Sequence, residues 1–236
     1  MTQTHESSTL PVDVRQRLEE KAKAMMSQIG SAGGDKIRVL RSKQFKLPQV
    51  EQTNDMLRVV VLDFVSYNAF FDRPWKEGDA TPPACFALGS NPRELAPHAS
   101  SPQKQSDTTC ADCPNNEFGS AGSGKACGNH RILAVVEPTD KPDAPIYLLQ
   151  LSPTAVKHWD AYVNGVLLRF KLPTIGVVTD ITFDPAKEYP SLRFGNPTPN
   201  PNIGLHMGRQ EQALARLLQA PDVSGWEPLK QKAGRK

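Results

Sequence analysis

The sequence predicts a mainly β protein with flanking helices, an α+β chain built on a small antiparallel barrel of five or six strands. Three observations carry this. Runs of alternating or continuous apolar residues recur through the chain, 21 prolines and 16 glycines punctuate them, and a helical pattern stands between the middle strands. With 236 residues the chain can bury a core without covalent staples.

The N-terminal unit spans residues 1–35. Its first residues are polar and without period, and VDVRQRLEEKAKAMMSQI then places Val14, Leu18, Ala22, Met25 and Ile29 at helical spacing. The glycines of GSAGGD end that helix. The main domain is expected over 36–220. KIRVLRSKQFKLP alternates as a half-buried strand, and MLRVVVLDFVSYNAFF is a second strand rich in β-branched and aromatic residues. RILAVVEP and PIYLLQLS form a hairpin around the turn-rich TDKPDA. SPTAVKHWDAYVNGVL opens with Ser at the N-cap and Pro in the first turn, and it presents Val156, Trp159, Val163 and Val166 on one face. Two further strands, IGVVTDITFDP and YPSLRFGNP, and a helix, MGRQEQALARLLQA, complete the domain. Asp180 and Asp184, which flank Phe183, are assigned to capping or a strand-end turn.

An insertion at 72–130 interrupts this order. It is dense in Pro, Gly, Ser and Asn, and a structureless loop of that length inside a compact domain needs something other than an apolar core to fold it. All four cysteines lie there, Cys85, Cys110, Cys113 and Cys127, in the pattern C-x24-C-x2-C-x13-C. Four thiolates suit a tetrahedral structural Zn²⁺, whose binding energy substitutes for the missing core. Gly122, Gly124 and Gly128 allow the chain to turn around Cys127. Two disulfides, a redox C-x2-C pair and a mixed site using His98 or His130 are the alternatives. With four ligands and no open position the metal reads as structural, and no nucleophile, phosphate loop or acid–base pair marks the chain as an enzyme.

The net charge of +3 conceals an uneven distribution. The basic C-terminal tail, 221–236, holds Lys230, Lys232, Arg235 and Lys236 against Asp222 and Glu227. Between 36 and 46 stand Lys36, Arg38, Arg41, Lys43 and Lys46 with no acid. Such a segment can follow a phosphate backbone by releasing counterions. After the second strand, YNAFFDRPW gathers Tyr67, Phe70, Phe71, Arg73 and Trp75 in an expected loop. Interleaved aromatics and cations are what stacking of unpaired bases requires, although Phe70 or Phe71 could instead anchor the loop. Lys125 and Arg131 are candidate backbone contacts. The apolar runs are too short for a membrane span and the start lacks a signal-peptide centre, so a cytoplasmic protein without membrane contact is expected.

The segments SYNAFFDRPW, PPACFALG, CADCPNNEFGSAGSGKACGNHRIL and LSPTAVKHWDAYV together resemble phage proteins that bind single-stranded DNA during replication and recombination, over about residues 36–195. The resemblance implies an OB-fold, an oligonucleotide/oligosaccharide-binding barrel, with a zinc-holding insertion. It also implies Cys85, Cys110, Cys113 and Cys127 as ligands, Phe118 and Lys125 beside the DNA groove, and single-stranded DNA as partner. Phage replication proteins and self-association are the further partners it brings into view. The ending LKQKAGRK departs from the acidic tail with which many such proteins recruit polymerase or helicase. A zinc-containing adaptor that docks on host polymerase is the alternative function, and stacking alone does not separate DNA from RNA.

Overall fold

The computed structural model describes residues 35–48, 50–73 and 81–228, together with isolated positions between 11 and 21. The chain divides into a unit Met1–Asp35 and a main unit Lys36–Lys236. The expected N-terminal helix falls mostly outside the described residues, as do Trp75 and the cations of the C-terminal tail.

The main unit is organised by one long strand. After three two-residue strands, β1 (Arg38–Val39), β2 (Phe45–Lys46) and β3 (Thr53–Asn54), comes β4 (Leu57–Phe70), whose fourteen residues are nearly all buried. The others are β5 (Cys85–Gly89), β6 (Cys127–Val136), β7 (Tyr147–Leu151), β8 (Val177–Phe183) and β9 (Leu192–Pro199). Helix α1 (Pro153–Phe170) lies between β7 and β8, and α2 (Ile203–Met207) and α3 (Gln210–Leu217) follow β9. The large antiparallel sheet has the order β7-β6-β4-β8-β9, with β5 added to the C-terminal half of β4. The expected closed barrel is not formed among the described residues, since the hydrogen-bonded path stays open at β7 and β9.

Apolar side chains on both faces of β4 explain why its sequence runs almost without polar alternation. One face carries Val60, Leu62, Val65, Tyr67 and Ala69 into a cluster with Ile132, Ile146 and, from α3, Ala213 and Leu217. The other carries Leu57, Val59 and Val61 into a cluster with Leu133, Leu149, Ile181, and Ala155 and Trp159 of α1. Parity changes between Leu62 and Val65 because the register with β6 shifts between Val61 and Asp63. This is a β-bulge whose free groups are satisfied locally. The Leu62 carbonyl accepts from Gln210 Nε2 at 3.2 Å, and the Phe64 N–H donates to Asp63 Oδ1 at 2.7 Å.

Trp159 is the largest fully buried side chain, edge-on to Phe64 and Phe194 with ring centroids 5.3 and 5.1 Å away. Ala155, Trp159 and Val166 form the buried stripe of α1, while Val156 and Val163 are half-buried beside it. Ser152 sits at the N-cap but turns its hydroxyl to Thr154 rather than to the helix backbone.

Three expectations need correction. The strand expected over 36–48 is broken into β1 and β2, because Leu40 and Gln44 close a turn in which Lys43 takes a left-handed conformation (φ 57°). The aromatic segment expected as a loop begins inside β4, so Tyr67 and Phe70 are strand residues. The insertion has a strand of its own, β5, paired with β4 from Ser66–Gly89 to Phe70–Cys85, and a small apolar cluster of Ala87, Leu95 and Cys110.

Candidate metal centre and nucleic-acid interface

The four cysteines arrive from three directions. Cys85 opens β5 and Cys127 opens β6, each in register with Phe70 at the end of β4. Cys110 and Cys113 come from the loop between, where the Cys110 N–H donates to the Leu95 carbonyl at 2.7 Å and a 3-10 turn, Pro114–Asn116, follows Cys113. All four are buried free thiols and line one cavity of about 10 Å³, with Asn68, Phe70 and Asn116. Asn116 ties the loop down by donating to the Cys110 carbonyl at 2.7 Å and accepting from Asn129 and Lys125 at 3.0 and 3.2 Å.

Burial raises the Cys110 thiol, with Cys85 and Cys113 adding to the effect; burial and the other three cysteines push Cys127 up to about 12. Four buried sulfurs around one cavity form a donor set that a soft cation would stabilise. The residues therefore fit zinc in type and number, and they line one cavity. As the side chains stand, no group of three or more His, Cys, Asp or Glu among the described residues has converged into metal-holding geometry. Neither candidate histidine lines the cavity. His98 stacks on Phe86 with centroids 4.8 Å apart, and His130 points Nδ1 at the Leu151 carbonyl, 3.0 Å away. Burial keeps His130 neutral by lowering its pKa.

Beside the cysteines runs an open groove of about 380 Å³. It is lined by Phe118, Gly124, Lys125 and the start of β6, and by Pro153, Thr154 and Lys157 near the start of α1. Phe118 is 80% exposed at its mouth. Left-handed Gly119 and Gly122 shape the loop that holds it, with Gly119 and Ala121 both donating to the Gly124 carbonyl. Gly128 is required for a different reason. A Cβ there would stand 2.6 Å from the His130 ring.

The structure separates the expected nucleic-acid contacts. Phe71, Phe118 and Lys125 are exposed near the insertion. Tyr67 is 8% exposed, tilted against His130 and raised to about 12 by burial and then by Cys127, so as it stands it offers no face to a base. Phe70 is half-buried at the cysteine cavity. Arg73 pairs with Asp72 and donates to the Glu227 carbonyl; Arg131 pairs with Asp160 at 3.7 Å. Arg38, Arg41, Lys43 and Lys46 sit apart on the β1–β2 hairpin. Sequence reasoning missed Lys157. Its signal was its place near the start of the helix after Ser152-Pro153, which only the fold brings to the same groove as Lys125. Asp180 and Asp184 do serve structure: Asp180 pairs with Arg58 and accepts from Asn196, and Asp184 accepts from the Ala186 N–H and from Arg193.

No protein-family model, curated protein or solved structure matches the chain. What the fold and site define is thus an α+β protein with an open antiparallel sheet, a four-cysteine insertion and an aromatic, basic groove beside it. Among the described residues no helix is long and apolar enough to cross a membrane.

Proposed function

We propose that the chain is a non-enzymatic, sequence-tolerant single-stranded DNA-binding protein of the phage replication type, an OB-like domain whose insertion is held by a structural zinc. The observation that carries this reading is the groove between insertion and helix, lined by the exposed Phe118 and by Lys125 and Lys157. An aromatic ring takes a base by stacking, worth about 1–3 kcal/mol, while the lysines hold the flanking phosphates.

The topology supports the same reading. A long first strand pairs with the second and fourth strands, and a helix stands between the third and fourth, as in an OB barrel unrolled; β5 then belongs to the insertion. In such barrels the loop after the first strand and the face of strands two and three bind oligonucleotides. Here that loop is the cysteine insertion.

Cys85, Cys110, Cys113 and Cys127, which line one cavity, would hold the zinc as thiolates. A zinc bound there would supply cohesion to the groove wall. Titration of fluorescent poly-dT and of duplex DNA at two salt concentrations tests the reading. The single strand is expected to bind tightly with a steep salt dependence and the duplex far more weakly, because stacked bases present no free face. Equal affinity for both forms removes it.

The adaptor reading draws on one observation, the exposed Leu167, Leu168 and Leu172 at the end of α1. It predicts protein association with no fluorescence response to oligonucleotide.

A further inference from the structure

The β1–β2 hairpin carries its cations in an arrangement that the fold does not neutralise. Arg38 and Lys46 are directly opposite in register, and like charges so placed destabilise a strand pair. Arg41 is exposed in the turn, and Lys43 holds its left-handed conformation beside it. Among the described residues no carboxylate lies within ion-pair distance of any of the four. The hairpin is nonetheless fixed. Phe45 is fully buried and stacks on Phe183 with centroids 4.5 Å apart, and the Ile37 N–H donates to the Leu148 carbonyl at 2.8 Å. A rigid, repelling set of cations points to an anion supplied from outside.

Its position specifies which anion. Phe183 ends β8, whose Ile181 pairs with Leu57 at the start of β4, whereas the Phe118 groove adjoins Cys127, the partner of Phe70 at the end of β4. The other anchor of the hairpin, Leu148, pairs with Ala134 and through it lies in the row of Asp63, so seven to thirteen steps along β4, about 23 to 43 Å at about 3.3 Å per residue, separate the hairpin from the groove. We propose that the hairpin is a second, phosphate-only subsite for the same nucleic-acid strand, remote from the base-stacking groove, so that a ligand must be long enough to reach both before full affinity develops. This rests on the single-strand reading above. No base need be read at the hairpin, since no exposed aromatic ring accompanies its cations. Site sizes on OB domains run from about 4 to 16 nucleotides, and full affinity belongs at the upper end of that range.

The test compares oligo-dT of about 5 and about 20 nucleotides on the full chain and on the triple variant Arg38→Gln/Arg41→Gln/Lys46→Gln, which leaves Phe45 and Lys43 in place. The long oligonucleotide is expected to lose ten- to a hundredfold in affinity, with a salt slope shallower by roughly 2 at about 0.7 per phosphate contact, while the short one binds both proteins alike. Unchanged affinity and slope for the long oligonucleotide, or equal loss for both lengths, overturns the second subsite. Wild-type binding to vesicles containing phosphatidylserine that the variant lacks, with oligonucleotide affinity intact, reassigns the hairpin to a lipid surface and also overturns it. If the wild type binds neither oligonucleotide, the failure lies with the single-strand reading itself.

Discussion

Cys85 and Cys127 occupy the same row of the sheet, one on each side of Phe70. Adjacent strands are about 4.8 Å apart, so the two α-carbons are held roughly 10 Å from each other by backbone hydrogen bonds alone. Both strands therefore begin at the cysteine cavity, and the long excursion between them returns to the row it left. The insertion is less a loop attached to the sheet than an extension of its last rung, closed from outside by Cys110 and Cys113.

Zinc content checks that arrangement. One zinc per chain is expected in purified protein, and Cys127→Ser should reduce it to less than half and lower the thermal midpoint, since loss of one thiolate leaves three buried sulfurs to be satisfied. Full reactivity of all four thiols toward a thiol reagent in zinc-supplemented wild type would exclude the site.

Phe118→Ala should weaken poly-dT binding about 5- to 100-fold, in keeping with one lost stack, and leave the salt slope unchanged. Because the ring is 80% exposed, the thermal midpoint should stay within about 1 °C of wild type. Lys125→Ala and Lys157→Ala should instead change the slope, each making it shallower by about 0.7. A Phe118 variant that binds as tightly as wild type means bases stack elsewhere.

Much of this was legible before folding. The strands β4, β6, β7, β8 and β9 and the helix α1 follow from periodicity and turn residues, and the four cysteines from their confinement to one polar segment. What eluded sequence reasoning were effects of distance. CFALG is too short to declare itself as a strand, and it becomes one because β4 extends past β8 and leaves an edge free. Tyr67 shares its composition signal with Phe118, yet one is buried under His130 and the other exposed, since a strand alternates between faces and a glycine-rich loop does not. Arg73 and Arg131 looked like free cations only until Asp72 and Asp160 were brought to them.

Trp159 anchors the cluster between the sheet and α1, so Trp159→Ala should destabilise the domain by about 3–5 kcal/mol. Its indole N–H is buried without a partner, which makes Trp159→Phe much milder, because that change removes the unsatisfied donor while keeping an aromatic ring between Phe64 and Phe194. Urea denaturation of both variants decides the matter. Equal losses would mean that a phenyl ring cannot replace the indole there and that removing the orphaned donor gains nothing.

His206 links α2 to the segment before β8 and imposes a pH dependence. It is fully buried, and its Nδ1 accepts from Asn200 Nδ2 at 2.9 Å, while the same amide nitrogen donates to the Ile175 carbonyl at 2.8 Å. That bond makes the ring the neutral tautomer with its proton on Nε2. Burial, and then the charge of Arg209, lower its pKa below the ordinary value of about 6.5. Once the pH falls below that ordinary value, the unfolded chain takes up a proton that the native ring refuses, so stability declines until the depressed native pKa is passed and is fully present above about 6.5. His206→Leu should flatten this part of the curve, even if its stability at neutral pH is lower, because the replacement cannot titrate in either state. Urea midpoints at pH 7.5 and 5.5 supply the comparison: wild type should lose more between them than the variant does, and parallel losses would show that His206 is already protonated in the native protein or that other groups govern the acid limb.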